Sequence, residues 1–211
     1  MTDTTSIKHP ASLTSGDFTA AEEPFALFAE WFAEAAKSEP NDPNAMALAT
    51  VDGAGQPSVR IVLLKDVDER GLTFYTNYES RKGRELERNP YAAAAFFWPG
   101  LERQVRIEGR VERAPAADSD RYFAGRDRES QLGAWASAQS RPIATRDELE
   151  AALAAERERW SGRAVERPPH WGMLYLAAES VELWVSGASR LHDRFLFERS
   201  AANWRMTRLS P

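Results

Sequence analysis

The sequence predicts a protein of the α+β class, built on a β-barrel-like sheet with helices at its periphery. Six to eight strand patterns follow one another closely, and helices are not inserted regularly between them, which argues against a doubly wound parallel sheet. No glycine-rich turn leads from a strand into a helix, so the fingerprints of dinucleotide and P-loop sites are missing. A chain of 211 residues is long enough for one large domain.

The N-terminal part is predicted as an arm followed by a helix. Residues 1–22 lack hydrophobic periodicity and are expected to be a mobile arm, which leaves residues 23–211 as a single domain. The segment 24–38 predicts the first helix, because a proline suits its first turn and three phenylalanines share one face.

Strand patterns dominate the middle of the chain. Alternation of apolar and polar side chains is clearest in 103–113, where Val105, Ile107 and Val111 are expected to face inward. The apolar run 92–98 has the length of a strand, although its alanines leave a helix possible. The strands predicted here are 45–52, 58–67, 71–78, 92–98 and 103–113.

Three further helices and three further strands complete the prediction. The last helix is the clearest, because Thr145 and Glu148 form a capping box and Gly162 supplies a stop. The helices are predicted at 80–89, at 117–140 with a break near Gly125, and at 145–162. The strands are predicted at 180–185, 189–199 and 203–209.

The composition of the chain excludes several classes of function. A formal net charge of −5 argues against a general nucleic-acid binder. The chain has no cysteine, which excludes disulfides, thiolate metal sites and a cysteine nucleophile, and its three histidines lack the spacing of metal ligands. No apolar run is long enough to span a bilayer and no secretory signal begins the chain, so a cytoplasmic location is expected. Clustered arginines in an acidic chain suggest a phosphate ligand, or else solvated faces.

A first phosphate site is predicted at the start of the helix 80–89. Arg81 and Lys82 follow Ser80 in its first turn, where two cations oppose the helix dipole. They cost helix stability unless an anion binds there, and helix N-termini bind anions.

A second phosphate site is predicted in the segment 121–140. Tyr122, Arg126 and Ser130 recur every four residues and would lie along one stripe of a continuous helix. Together they would make a phosphate clamp, although the polar face of an amphipathic helix is the alternative.

Three weaker patterns involve strands. In "SRLHDRFLF" (189–197), an extended chain would place Arg190, His192 and Arg194 on one face, near the aromatic side chain of Trp184. In "RIVLLK" (60–65), an arginine and a lysine bracket an apolar segment expected to be buried, unless they are strand ends that reach water. On the polar face of 103–113, a glutamine could donate to and accept from a heteroaromatic ring.

Taken in order, several segments resemble the pyridoxine/pyridoxamine 5′-phosphate oxidases over residues 24–211. They are "RIVLLK", "FYTN-ESRKGRELERNP", "LERQVRIEGRVE", "YFAGRDRESQLGAWASAQS", "PPHWG" and "RLHDR". The resemblance implies an antiparallel split β-barrel, and a homodimer that holds FMN in clefts at the subunit interface. It also implies oxidation of pyridoxine 5′-phosphate or pyridoxamine 5′-phosphate to pyridoxal 5′-phosphate, with O₂ as acceptor and H₂O₂ as product.

The resemblance also implies the site residues. The positions that match FMN contacts are Arg60, Lys65, Tyr75, Thr76, Arg81, Lys82, Gln104, Gln139, Ser140, Trp184 and Arg194. The positions that match substrate contacts are Lys65, Tyr122, Arg126, Ser130, Arg190 and His192. Arg190 and His192 are expected to be catalytic, orienting the substrate ring and its C4′ substituent.

The chain departs from the family pattern in places, and two alternatives therefore stay open. It has "WGMLY" (171–175) where family members commonly have "WGGYR" or "WSGFR", and Val185 where a polar residue usually follows the tryptophan. Its N-terminal "IKHPASL" lacks the arginine and tyrosine that many members carry there. One alternative is a protein that binds pyridoxal 5′-phosphate or flavin without turnover. The other is a related reductase that uses another flavin or a deazaflavin.

Overall fold

The computed structural model describes residues 23–68, 70–201 and 203–211. The predicted arm at 1–22 lies outside the described residues. The chain divides into two compact units, and the single domain therefore stays a prediction. The first unit takes in the described residues up to Ala47 together with 93–109 and 178–211, and the second takes in 48–92 and 110–177.

Helices and strands alternate irregularly along the described residues. The α-helices are α1 (Pro24–Ser38), α2 (Arg81–Arg88), α3 (Ala116–Ala124), α4 (Arg128–Ala136) and α5 (Arg146–Arg159). The strands are β1 (Ala45–Val51), β2 (Pro57–Leu63), β3 (Asp66–Asp68), β4 (Gly71–Asn77), β5 (Tyr91–Trp98), β6 (Arg103–Arg113), β7 (Trp171–Val185), β8 (Asp193–Ser200) and β9 (Asn203–Leu209). Short 3₁₀ turns occur at Pro99–Leu101 and Ala188–Arg190.

The strands of the described residues belong to one sheet. Its order is β2-β1-β5-β6-β7-β4-β3, and β8 pairs with β7 and β9. The pairings of β4 with β3 and β7, and of β8 with β7 and β9, are antiparallel. In this register Tyr75 lies opposite Met173, and Trp184 lies opposite Arg194. The predicted α+β class is confirmed, and 92–98 is a strand rather than a helix.

The core of the first unit forms where α1 packs on β5. Phe28 and Trp31 are each 2% exposed. The predicted face of three phenylalanines is buried only at Phe28, since Phe25 and Phe32 are half-buried. The ring of Phe28 lies 5.2 Å from that of Phe96 in edge-to-face geometry. Burial of each such side chain contributes about 1.5–3 kcal/mol to the free energy of unfolding.

The core of the second unit gathers the helices α3, α4 and α5. Its buried members are Phe123, Leu132, Trp160, Val165 and Trp171. The helix α5 has no fully buried residue of its own, and it contacts this cluster through Trp160 at its C-cap and through the partly buried Leu153. The predicted cap is present, since the Thr145 hydroxyl oxygen accepts from the Glu148 amide at 3.3 Å.

Two predicted strand boundaries are wrong. The strand predicted at 58–67 is two strands, because β2 pairs with β1 whereas β3 pairs with β4. The strand predicted at 180–185 begins nine residues earlier, at Trp171. Residues 171–176 are all buried and therefore show no alternation from which a strand could be predicted.

The predicted strand at 189–199 is also wrong at its start, because β8 begins only at Asp193. Ser189 and Arg190 have φ values of 56° and 64°, which is left-handed backbone incompatible with an extended strand. Arg190, His192 and Arg194 therefore do not share one face of a strand. The helix predicted to reach residue 140 ends at Ala136. The predicted break near Gly125 is confirmed, so Tyr122 lies on α3 and Ser130 on α4.

Candidate functional site

A cleft of about 520 Å³ lies in the second unit, where β2, β4 and the start of β7 meet the helices α2, α3 and α4. Eight of the predicted site residues line it. They are Lys65, Tyr75, Thr76, Lys82, Tyr122, Arg126, Ser130 and Gln139. These residues come from separate segments of the sequence, and the fold brings Lys82 of the first predicted phosphate site together with all three residues of the second.

On the α2 side of the cleft, the ammonium group of Lys82 reaches the strand β4. The Ser80 hydroxyl oxygen caps α2 by accepting from the Gly83 amide at 3.2 Å. Lys82 Nζ donates to Thr76 Oγ1 at 3.0 Å and to Gln139 Oε1 at 2.9 Å. Burial lowers the pKa of the Lys82 ammonium to about 8, and the charge of Arg60 adds to this effect. A nearby anion would favour the charged form.

We expect this lysine to make phosphate binding depend on pH. The ligand-free pKa of Lys82 is about 8 and lies below its ordinary value, so the free protein loses this proton as the pH rises through 8. A phosphate group binds the charged form, so the affinity for FMN, the cofactor that the resemblance implies, should fall between about pH 8 and 10. In Lys82→Arg the cation stays charged, and the affinity measured by flavin fluorescence titration should stay level over that range. An identical decline in both proteins would contradict the role of Lys82.

The α3–α4 side of the cleft holds a guanidinium against aromatic rings. Arg126 lies 4.8 Å above the ring of Trp171, and its buried Nη1 has no hydrogen-bond partner among the described residues. Burial lowers the pKa of Arg126. Tyr75 stacks on Tyr122 at 3.8 Å and on Trp171 at 5.2 Å, so the three rings form a wall. A buried donor without a partner costs free energy, so this Nη1 group is suited to an anionic ligand.

Sequence reasoning missed part of this cleft. Trp171, Asn77 and Asp127 also line it. The Asp127 carboxylate caps α4 by accepting from the Ser130 amide at 2.8 Å. This hydrogen bond fixes the turn between α3 and α4. The asparagine and the aspartate could have been found from their positions directly beside predicted site residues. Nothing in the sequence shows the ring stacking of Trp171.

Arg60 and Arg81 do not line the cleft but meet at a buried carboxylate. Arg60 Nη2 lies 3.2 Å from Glu85 Oε2, and Arg81 Nε lies 2.8 Å from Glu85 Oε1. The apolar segment after Arg60 was expected to be buried, and this is wrong for Ile61, which is 66% exposed. Ser140, a further predicted residue of this unit, is exposed with φ 67°.

The remaining predicted residues lie in the first unit. The ring of His192 lies 4.7 Å from that of Trp184, and its Nδ1 accepts from the Gly187 amide at 3.1 Å. Arg194 Nε donates to Glu182 Oε1 at 2.8 Å, which raises the pKa of the arginine. The others are Gln104, half-buried on β6, and Arg190, exposed in the 3₁₀ turn.

The departures from the family pattern fall outside the cleft. Within "WGMLY" only Trp171 lines it, while Met173 and Leu174 are buried and Tyr175 donates to Asp118 Oδ2 at 3.3 Å. The predicted arm residues are not among those described.

Over 23–68, 70–201 and 203–211, no group of three or more His, Cys, Asp or Glu side chains is placed to hold a metal ion. Within the same ranges, no helix is long and apolar enough to cross a membrane.

An antiparallel sheet with a cleft lined by Lys65, Lys82 and Arg126 is typical of proteins that bind phosphorylated ligands. Two family models match the chain: pyridoxamine 5′-phosphate oxidase over residues 32–160, and the pyridoxine 5′-phosphate oxidase C-terminal dimerisation region over residues 171–211. The chain belongs to the pyridoxamine 5′-phosphate oxidase family.

Curated relatives and solved structures agree with this assignment. The chain is 54% identical to a pyridoxine/pyridoxamine 5′-phosphate oxidase of Rhodopseudomonas palustris (strain BisB18), with 100% of both chains covered. It is 55% identical to one of Azorhizobium caulinodans, with 94% of this chain and 95% of the relative covered.

Two solved structures show the fold. PhzG from Burkholderia lata, in complex with tetrahydrophenazine-1-carboxylic acid, is 32% identical with a TM-score of 0.85, covering 91% of this chain and 94% of that one. A pyridoxamine 5′-phosphate oxidase-related, FMN-binding protein of Nostoc punctiforme is 17% identical with a TM-score of 0.71, covering 90% and 100%. The predicted split-barrel fold is confirmed.

Proposed function

We propose that the protein is an FMN-dependent oxidase that converts pyridoxine 5′-phosphate or pyridoxamine 5′-phosphate to pyridoxal 5′-phosphate. The observation that carries this proposal is the cleft in which eight predicted site residues meet. Oxidation of the alcohol to the aldehyde removes two electrons and two protons, and O₂ takes up both to give H₂O₂. The amine requires one water in addition and releases ammonia.

The cationic side chains of the cleft suit the phosphate group of FMN. Lys82 and the orphaned guanidinium of Arg126 suit two separate phosphate groups, one on the cofactor and one on the substrate. When bound, FMN supplies the acceptor for a hydride from C4′ of the substrate. The residues proposed to hold FMN are Arg60, Lys65, Tyr75, Thr76, Arg81, Lys82, Gln104, Gln139, Ser140, Trp184 and Arg194.

The substrate phosphate is assigned to Tyr122, Arg126 and Ser130, with Lys65 beside them. The charged groups hold the phosphate, and the stacked rings of Tyr122, Tyr75 and Trp171 exclude water from that side of the cleft. A clamped phosphate fixes the far end of the substrate, so its reacting carbon is presented in few orientations.

Arg190 and His192 are assigned to orienting the substrate ring and its C4′ substituent. His192 Nδ1 accepts from the Gly187 amide, so the neutral ring carries its proton on Nε2. That proton is then available to donate to the oxygen or nitrogen on C4′. We further propose that the protein forms a homodimer with FMN at the subunit interface, which the match to the dimerisation region supports. We also propose a cytoplasmic location, which the lack of cysteine supports.

The test is conversion in air. FMN-loaded protein is mixed with pyridoxine 5′-phosphate, and pyridoxal 5′-phosphate and peroxide are measured together. We expect equal amounts of the two products, and far slower reaction of unphosphorylated pyridoxine because it leaves Arg126 unpaired. Bound substrate without product would instead support a binding protein. Equal rates with and without the phosphate group would contradict the assigned clamp.

A further inference from the structure

The carboxylate of Glu85 on α2 is 5% exposed and joins three elements of the second unit. Its Oε2 accepts from Thr50 Oγ1 at 2.5 Å, from Ser58 Oγ at 2.7 Å and from Arg60 Nη2 at 3.2 Å. Its Oε1 accepts from Arg81 Nε at 2.8 Å. The strands β1 and β2 and the first turn of α2 are therefore tied to one side chain.

This carboxylate is charged at neutral pH despite its burial. Burial alone would raise its pKa, but the hydrogen bonds from Thr50, Ser58, Arg81 and Arg60 outweigh that effect and lower the pKa of Glu85 to about 2. A buried carboxylate is costly to keep unless its partners are well placed. Four donors on two oxygens meet that condition.

The two guanidiniums are held in different ways. Arg81 uses only Nε on the carboxylate, and its two terminal nitrogens make no hydrogen bond among the described residues. Arg60 is fixed further, since its Nη1 donates to the Leu48 carbonyl at 3.1 Å and its Nη2 to Ser58 Oγ at 2.5 Å. One edge of Arg81 is therefore anchored while the other is free to meet an anion.

We propose that Glu85 is a positioning residue for the cofactor site, holding Arg60 and Arg81 in the orientation in which they meet the FMN phosphate. The inference rests on the proposed function, which assigns both arginines to FMN. Glu85 itself touches neither cofactor nor substrate in this account. Its contribution is to remove the rotamer freedom of two long side chains before the ligand binds.

The direction in which FMN affinity changes distinguishes this positioning role from a purely electrostatic effect of the Glu85 charge. A negative charge close to a phosphate repels it, so neutralising Glu85 would tighten FMN binding if charge alone mattered. If Glu85 positions the arginines, neutralising it weakens FMN binding, although the site becomes more positive. The isosteric Glu85→Gln keeps an acceptor for the two hydroxyls but loses the charge that orders the guanidiniums.

The experiment compares FMN dissociation constants of apoprotein variants by fluorescence titration. We expect Glu85→Gln to weaken binding about tenfold. The matched control is Glu87→Gln, the same change on the same helix at a side chain that is 68% exposed and lies 3.9 Å from Arg113. The control should bind FMN as the parent does. Unchanged or tighter binding by Glu85→Gln overturns the proposal.

Three further variants distinguish failure of this proposal from failure of the proposed function. In Arg81→Met, unchanged FMN affinity would overturn the proposed cofactor assignment itself. If Arg81→Met weakens FMN binding, Glu85→Gln should cause a smaller loss of affinity in the Arg81→Met background, because Glu85 can no longer act through Arg81. Losses that add fully would overturn the role of Glu85 but leave the proposed function intact. Should Glu85→Gln fail to fold, Ser58→Ala removes one donor from the cluster and should weaken FMN binding to a smaller extent, and unchanged affinity overturns the proposal.

Discussion

Replacement of Arg126 by alanine is expected to lower kcat/KM for pyridoxine 5′-phosphate about 10²–10⁴-fold, with the FMN content of the protein unchanged. Two charge-assisted hydrogen bonds of about 1.5–3 kcal/mol each account for a loss of that size. Most of the loss should appear in KM, since the phosphate is bound equally in the ground and transition states. Steady-state kinetics and the flavin absorbance of the purified variant measure both quantities.

A second arginine serves as the control for this prediction. Arg121 lies on α3, one residue before Tyr122, and its side chain is 77% exposed beside Asp118. Arg121→Ala should leave kcat/KM within about twofold of the parent, because a surface ion pair contributes little. Arg126→Lys should fall between the two, since an ammonium offers no planar fork to a phosphate. Comparable losses in Arg121→Ala and Arg126→Ala would argue against a specific clamp.

Replacement of Gly83 by alanine is expected to destabilise the protein by about 1–3 kcal/mol and to weaken FMN binding at the same time. In an ordinary helix this change adds up to about 1 kcal/mol of stability. Here a Cβ at Gly83 would lie 2.1 Å from the Tyr78 carbonyl oxygen, so the first turn of α2 has to move. That turn carries Arg81 and Lys82. Thermal unfolding of the apoprotein and FMN titration report the two effects.

A glycine in another helix provides the comparison. Gly133 lies inside α4, and a Cβ placed there would meet no atom within 4 Å. Gly133→Ala should therefore raise the unfolding temperature, by about 2–4 °C for each kcal/mol gained. If both alanine variants were stabilised, the close approach of α2 to Tyr78 would be wrong.

The fold could be predicted from the sequence wherever local pattern and tertiary pairing agree. The strand 103–113 alternates because one face is buried, and α1 shows a helical stripe because one side packs on β5. Prediction failed where the pairing partner decides the structure. The break at Lys65 follows from a change of neighbouring strand, and Lys65 donates its amide to the Thr73 carbonyl at 2.9 Å. No local sequence pattern carries that information.

The site could be predicted to a different extent in its two phosphate regions. The α2 region was predicted from two cations in a first helical turn, but only Lys82 lines the cleft, because Arg81 meets the carboxylate of Glu85. The break near Gly125 was predicted and is present, and Tyr122, Arg126 and Ser130 line one cleft across it rather than along one helical stripe. Trp171 was missed because stacking depends on which strands and helices meet. The tight turn at Arg190 was missed because positive φ at a non-glycine residue has no clear sequence signal.

The most direct test of the proposed oxidase is the conversion assay run without oxygen. FMN-loaded protein is mixed anaerobically with pyridoxine 5′-phosphate, and the yellow flavin absorbance and the aldehyde product are followed together. We expect the colour to bleach as one pyridoxal 5′-phosphate forms per flavin, and air to restore the colour with release of one peroxide. A flavin that stays yellow beside bound substrate, with no aldehyde formed, would contradict the proposed oxidase.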